Sequence, residues 1–418
     1  MQSKANELSN ILDLWFAKST DPLIIKQMSM KWSFFLIKDI IEIIQIYMFL
    51  KSINLLNYRN YQELFLELNN QKLIILGDNS QGKTNLLEVV QILSLGKSKR
   101  ASKDAQLVNF DADNAVIHAK VDKGLGEELA IALMIRKSGR RTLKINEVTK
   151  KPSDITHKIY TVSFMVDDLH MVAGSPSERR DWLDSILRQL NIQYKDVYAK
   201  FEKALSQRNS FIKSLVEQGV YFPNLNDSHR EQLSIWNEMF IEAANTVTKY
   251  RKALIQELNP VIASHYKNIS GKEDALEVSY AGTELQEADL DKRLRVDFIR
   301  SYTTLGPHRD DISFVLKSHN AGDFASQGEK RSIVLASKLS EIDLLKAKHN
   351  IRPILLLDDV LAELDESRQD HLLDAVDSDT QVIITTTHLG KHLQKWSENA
   401  QIINIKSGEI VEKALLGV

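Results

Sequence analysis

Cysteine is absent from the 418 residues. That excludes a disulfide scaffold, a thiolate zinc site and a cysteine nucleophile, and it fits a reducing compartment. An excess of either charge is also missing: 54 Lys+Arg stand against 56 Asp+Glu, a formal net charge of −2. With no global positive field, any grip on nucleic acid must come from a local basic patch. No long apolar run is clean. The stretch 32–50 is interrupted by Lys38, Asp39, Glu42 and Gln45, and a central charge costs about 2.5–3.5 kcal/mol on membrane insertion. The stretch also lacks the basic start and small-residue cleavage site of a signal peptide. It reads as an amphipathic or buried helix, and the expectation is a soluble, cytoplasmic protein. Internal repeats and low-complexity segments are lacking too. What remains, 43% hydrophobic and 26% charged, is ordinary globular composition. The length suits two or three domains, or one large domain with an insertion.

From Met48 the pattern becomes regular. Phe49 to Tyr58 and Leu64 to Leu68 read as strands, Lys72 to Leu76 as a short buried strand, and Asn85 to Leu95 as a helix. Period-two alternation over Ile117–Val121, Leu129–Ile135 and Leu143–Ile145 predicts strands joined as antiparallel hairpins through Gly-containing turns. Residues 177–218 contain neither glycine nor proline, and Leu183, Ile186, Leu187, Leu190, Tyr194, Val197, Phe201 and Leu205 mark one helical face. A second such face, Trp236, Phe240, Ala243, Val247, Tyr250 and Leu254, is expected to end near Pro260. Together they predict a helical hairpin, after which mixed α/β texture returns at Tyr302.

Four motifs carry chemistry. Gly77-Asp78-Asn79-Ser80-Gln81-Gly82-Lys83-Thr84 matches G-x-x-x-x-G-K-[ST] between a strand and a helix. Its glycines let backbone N–H groups converge on phosphate oxygens, Lys83 adds a point charge, and the Thr84 hydroxyl ligates Mg²⁺. Pro353-Ile354-Leu355-Leu356-Leu357-Asp358-Asp359 ends a buried strand in two carboxylates, which is costly unless a cation pairs with them. Mg²⁺ shared between Thr84, Asp358 and ATP is the natural partner, leaving Asp359 to orient or deprotonate the attacking water. Ser326-Gln327-Gly328-Glu329 opens a helix; it makes a capping box, and the same geometry offers a serine and N–H donors to a phosphate. Thr385-Thr386-Thr387-His388 closes an apolar strand, placing His388 as a γ-phosphate sensor.

Taken in this order, and joined by Ala362-Glu363-Leu364-Asp365, these motifs resemble the ATP-binding cassette heads of the SMC-like class. Longer segments resemble the RecF family in particular: Asn57-Tyr58-Arg59-Asn60-Tyr61, Asp168-Leu169 with Gly174-Ser175-Pro176-Ser177-Glu178-Arg179-Arg180, Gln207-Arg208-Asn209, and Thr304-Leu305-Gly306-Pro307-His308-Arg309-Asp310-Asp311. The resemblance covers residues 48–418. The stretch between Lys83 and Ser326 is too short for the coiled coil of SMC proteins and longer than the insertion of ABC transporter ATPases.

The resemblance implies an α/β fold, an ABC/SMC-like ATPase head pairing a P-loop sheet with an antiparallel β subdomain and carrying an inserted α-helical lobe. The parts expected are an N-terminal head half over 48–175 with Walker A, the lobe over 176–300, and a C-terminal head half over 301–418. Residues 1–47 are expected to be a mis-assigned start or a dispensable extension. It also implies that ATP is sandwiched in a homodimer. Gly77 to Thr84 and Arg59 would bind the nucleotide, with Thr84 and Asp358 on Mg²⁺ and Lys83, Asp359, Ser326 and His388 catalytic. Ser326 would act in trans, with Asp365 near the interface. Asp359 stands where many relatives have Glu, so hydrolysis is expected to be slow, a clamp timer more than a motor. Gln327 replaces the Gly of the transporter signature, as in RecF.

Partners implied are single- and double-stranded DNA, gapped DNA above all, with RecO and RecR in the loading of RecA during DNA damage repair, replication and the SOS response. Lys97, Lys99, Arg100 and Lys103 form the candidate DNA-binding patch, with Arg179, Arg180 and Arg208 as additional candidates. The alternative is a nucleotide-switched protein-docking ATPase that binds no DNA itself. A nuclease is disfavoured, since no further carboxylate-rich domain follows the head.

Overall fold

The computed structural model describes residues 46–415 apart from 125, 375, 377–379, 391–392 and 395–396. The expectation for residues 1–47 therefore lies outside the described residues, save for its last two. In chain order, β1 (Phe49–Tyr58), β2 (Tyr61–Glu67) and β3 (Lys72–Leu76) lead into α1 (Lys83–Leu95). The strands β4 (Asn114–Asp122), β5 (Glu128–Arg136), β6 (Thr142–Ile145), β7 (Val148–Lys150) and β8 (Thr161–Met165) follow. Then come α2 (Pro176–Leu190), α3 (Tyr194–Glu217), α4 (Asp227–Ser270), β9 (Leu276–Tyr280), α5 (Glu287–Arg300) and β10 (Ile312–Leu316). The chain closes with α6 (Gln327–His349), β11 (Ile354–Asp358), α7 (Glu366–Asp374), β12 (Val382–Thr386), β13 (Gln401–Lys406) and β14 (Glu409–Leu415).

Two six-stranded sheets organise the head. One is antiparallel, in the order β2-β1-β4-β5-β6-β7. Its strands alternate as the sequence predicts, with Ile117, Ala119 and Val121 of β4 buried beside Leu133, Ile131 and Leu129 of β5. The other runs β14-β13-β3-β12-β11-β8 and is parallel except for the β13–β14 hairpin at its edge. In it, β11 and β12 are buried along their whole length, the mark of a parallel sheet covered on both faces. The register sets Asp358 beside Thr385 and Thr386 beside Leu76. The carboxyl ends of β3, β12 and β11 thus share one edge, which is where open α/β sheets bind ligands.

Helices depart from expectation at two points. The stretch 177–218 is two helices, because Asn191 accepts a bond from the Gln193 N–H at 3.0 Å and turns the chain. In the other direction, α4 does not stop at Pro260 but continues to Ser270. A mid-helix proline costs about 3 kcal/mol. Beyond it, however, Ile262, Tyr266 and Ile269 are buried in the core shared with the head, the two isoleucines contributing about 1.5–3 kcal/mol each. Asn259 also exchanges two bonds with the Val278 backbone, at 2.7 and 3.1 Å. The main core spans both sheets, α2 and the distal half of α4. Two smaller apolar clusters, one around Phe201, Phe240 and Val247 and one around Ile212, Leu233 and Phe298, hold the outer helices together. Among the described residues no helix is long and apolar enough to cross a membrane.

Candidate nucleotide-binding and catalytic site

The loop from Gly77 to Gly82 leaves β3 and delivers Lys83 and Thr84 to the first turn of α1. Both glycines are required by their surroundings. A Cβ on Gly77 would lie 2.4 Å from the Ile405 carbonyl oxygen, and one on Gly82, at φ 112°, would lie 2.6 Å from Asn60 Nδ2. Asn60 and Tyr61 fix the loop from outside, donating to the carbonyls of Gln81 at 3.0 Å and Gly82 at 2.9 Å. No side chain caps α1, so its leading N–H groups face the loop as an anion site. Lys83 is buried and donates to the carbonyls of Gly77 at 2.7 Å and Asp78 at 3.2 Å.

The two carboxylates meet this loop from β11. Asp358 is buried, and its Oδ1 accepts from Thr84 Oγ1 at 3.0 Å and Thr385 Oγ1 at 2.6 Å. Burial pushes its carboxyl above the usual aspartate value, although the two hydroxyls oppose the shift; Asp359 adds to it and Arg100 counters it. Asp359 sits in the left-handed region at φ 51°, its N–H held by the Thr385 carbonyl and hydroxyl, both at 3.1 Å. That turn sends its carboxylate toward Lys83, 3.6 Å away. Thr84 and Asp358 offer oxygen donors from one side only. Among the described residues no group of three or more metal-ligating side chains exists. Such a set suits a hard cation that keeps the rest of its shell for water and phosphate, as Mg²⁺ does.

The other expected residues are more spread. Ser326 is exposed at the N-cap of α6, and its hydrogen bonds close a capping box with Glu329. The same bonds, with Lys317 helping, hold Glu329 at about 2. His388 lies exposed just past β12, with Nδ1 3.0 Å from Thr387 Oγ1. Asp365 pairs with Arg368 on α7. Arg59 is turned onto Glu88 of α1, with bonds of 2.9 and 2.7 Å.

In the basic cluster, Lys97 and Lys103 are exposed. Lys99 is exposed as a whole residue, but its ammonium end is buried, which lowers its pKa, in the field of Asp168, Lys338 and Glu341. Arg100 donates to Asn85 Oδ1 at 3.0 Å and its field reaches Asp358. Two additional DNA candidates are corrected. Arg208 is fully buried on Asp297 at 2.7 Å, and Arg179 is buried on Asp311 at 3.0 Å, so neither faces a backbone phosphate. Arg180 spends one nitrogen on the Asp310 carbonyl at 2.8 Å.

Sequence reasoning assigns no role to Thr385 and Asn60, which lie within its motifs, and does not single out Glu88. Thr385 had a signal in the threonine run that closes β12. Glu88 had one as well, as the lone acid of α1, whose residues from Leu86 to Leu95 are all buried.

The sequence profile of the RecF/RecN/SMC N-terminal domain family matches residues 49–410. A protein of Gloeobacter violaceus named DNA replication and repair protein RecF is 39% identical over 380 residues, covering 87% of this chain and 98% of that protein. Its namesake in Synechocystis is 37% identical over 380 residues, covering 88% and 98%. A solved structure described as the recombination mediator protein RecF-ATP in the RecFOR pathway is similar at a TM-score of 0.77 and 29% identity, covering 88% of this chain and 98% of that one. An Smc head domain derived from Pyrococcus furiosus shares the fold at a TM-score of 0.50 and 14% identity, covering 88% and 97%.

Proposed function

The chain belongs to the RecF family of DNA replication and repair proteins, and on that premise we propose that it is an ATP-gated DNA clamp of recombinational repair. The observation that carries the reading is the convergence of Lys83, Thr84, Asp358 and Asp359 at one sheet edge. Gly77 to Thr84 cradle the phosphates of ATP, with Arg59 at the rim. Lys83 exchanges Asp359 and its loop carbonyls for the outer phosphates. Thr84 and Asp358 hold Mg²⁺, which when bound neutralises developing phosphate charge. Asp359, released from Lys83, orients the attacking water. Its side chain is one methylene shorter than glutamate, and turnover below ~1 s⁻¹ is expected.

Ser326 is exposed and, among the described residues, its side chain bonds within its own cap, which suits action in trans on a second copy's nucleotide. His388 and Asp365 lie exposed beside the same edge and its following turn, as sensor and interface residue. Residues 48–175 and 301–418 act as head halves, and the outer helices within 176–300 act as the lobe, while α2 and the distal half of α4 pack into the head core. ATP-driven dimerisation would close the basic segment Lys97, Lys99, Arg100 and Lys103 on DNA at gaps, where RecO and RecR join it to load RecA. The relative's description within the RecFOR pathway supports those partners.

Mixing two defective chains tests the composite site. Lys83→Ala and Ser326→Arg proteins should each be inactive, and part of the ATP turnover should return when they are mixed. No recovery in the mixture, with both chains folded, would overturn action in trans.

A further inference from the structure

Glu88 is a carboxylate with no exposed surface, the one acid in a helix that also buries Lys83, Gln91 and Ser94 among its apolar residues. It accepts four hydrogen bonds: from Tyr58 Oη at 2.8 Å, from Arg59 Nε at 2.9 Å and Nη2 at 2.7 Å, and from Ser98 Oγ at 2.6 Å. Burial disfavours its charge, but the bonds from Arg59, Ser98 and Tyr58 outweigh that and hold its carboxyl below the usual glutamate value. The donors come from two different elements. Tyr58 ends β1 and Arg59 opens the turn to β2, and Asn57 and Arg59 both sit at positive φ, 54° and 53°. That conformation is uncommon for these side chains and persists where surrounding contacts dictate it.

Ser98 belongs to the basic segment after α1. Its oxygen passes the constraint on, accepting from the N–H groups of Arg100 at 2.9 Å and Ala101 at 2.8 Å. A second path runs in parallel one turn earlier on α1. Arg100 donates to Asn85 at 3.0 Å, Asn85 to Asn60 at 2.8 Å, and Asn60 to the Gln81 carbonyl of the phosphate loop at 3.0 Å. The turn, the phosphate loop and the basic segment therefore form one hydrogen-bonded unit, and Glu88 is its buried centre.

The geometry points to Glu88 as a positioning residue that fixes Arg59 for the nucleotide and, through Ser98, the basic segment, so that one carboxylate sets the readiness of both. This rests on the reading of Arg59 as a nucleotide-binding residue. Glutamine at 88 keeps the volume, but it presents one acceptor and one donor where Arg59 needs two acceptors.

The test uses the full chain with Mg²⁺–ATP. Glu88→Gln should weaken ATP binding by calorimetry about tenfold and raise amide exchange across 97–103. Combined with Arg59→Ala, it should add no further loss of ATP affinity, because both remove the same contact. Additive losses, or unchanged exchange at 97–103, overturn the inference. Unchanged affinity in Glu88→Gln beside a loss in Arg59→Ala overturns it while sparing the reading of Arg59. Unchanged affinity in Arg59→Ala overturns that reading and the inference together. If Glu88→Gln does not fold, Arg59→Lys and Ser98→Ala test each arm. Arg59→Lys must weaken ATP binding and Ser98→Ala must raise exchange at 97–103, and failure of either overturns the inference.

Discussion

Replacing Gly82 with alanine should disable nucleotide binding while leaving the fold standing. The new Cβ would lie 2.6 Å from Asn60 Nδ2 and 2.8 Å from Tyr61 Oη, at a backbone φ of 112°. Asn60 and Tyr61 are the side chains that pin the loop through the carbonyls of Gln81 and Gly82. Losing both bonds costs about 1 kcal/mol each, and holding a side chain at this φ costs about 1–3 kcal/mol. The loop's bound shape is thus disfavoured by roughly 3–5 kcal/mol. If relaxation recovers half, about 2 kcal/mol remains, a loss of roughly thirtyfold in affinity. Calorimetric titration with Mg²⁺–ATP reads this directly. Gly390→Ala is the control, since a Cβ there meets nothing within 4 Å, and its affinity should match the parent. A Gly82→Ala protein that binds ATP within threefold of the parent would refute the reasoning.

Three further outcomes follow from the packing. Asp297→Asn strands the fully buried Arg208 without its charge partner, so denaturant unfolding should show a loss of about 3–5 kcal/mol; a loss under 1 kcal/mol would contradict a buried pair. Pro260→Ala restores a helical N–H in mid-α4 and should leave the melting temperature unchanged or raise it, whereas a clear fall would show that the proline is needed for the helix path. His157 is pushed from 6.5 down to about 4, chiefly by burial and then by the charge of His349. Because the folded value lies below the unfolded one, its contribution is complete above pH 6.5 and is lost as pH falls toward 4. His157→Gln should flatten the melting-temperature profile across that window, and an unchanged slope would assign the acid sensitivity elsewhere.

Much of the head could be read from the residues because its signals are local. The alternation in β4 and β5 is set by one buried face, and the phosphate loop and the Asp358-Asp359 strand end are contiguous motifs whose chemistry dictates their place. Elements decided by distant packing could not be read this way. Pro260 normally ends a helix, and only the burial of Ile262, Tyr266 and Ile269 against the head overrides it. Asn191 breaks a periodic stretch by accepting the Gln193 N–H with its side chain, which periodicity does not register. Arg208 and Arg179 look like surface cations in a charged segment, yet their carboxylates, Asp297 and Asp311, come from 89 and 132 residues away. Glu88 is the same case on a smaller scale, since its donors come from the end of β1, the turn after it and the segment after α1.

The central claim is that ATP gates the grip on DNA, and it is tested most directly by fluorescence anisotropy of a labelled gapped duplex at fixed salt. Mg²⁺–ATP is compared with Mg²⁺–ADP, and dimerisation is followed by sedimentation in the same samples. Tighter binding with ATP, appearing together with the dimer and lost on charge reversal at Lys97, Lys99 and Arg100, is the predicted result. ATP-dependent dimers that leave the DNA unbound would contradict it and transfer the reading to a protein-docking ATPase.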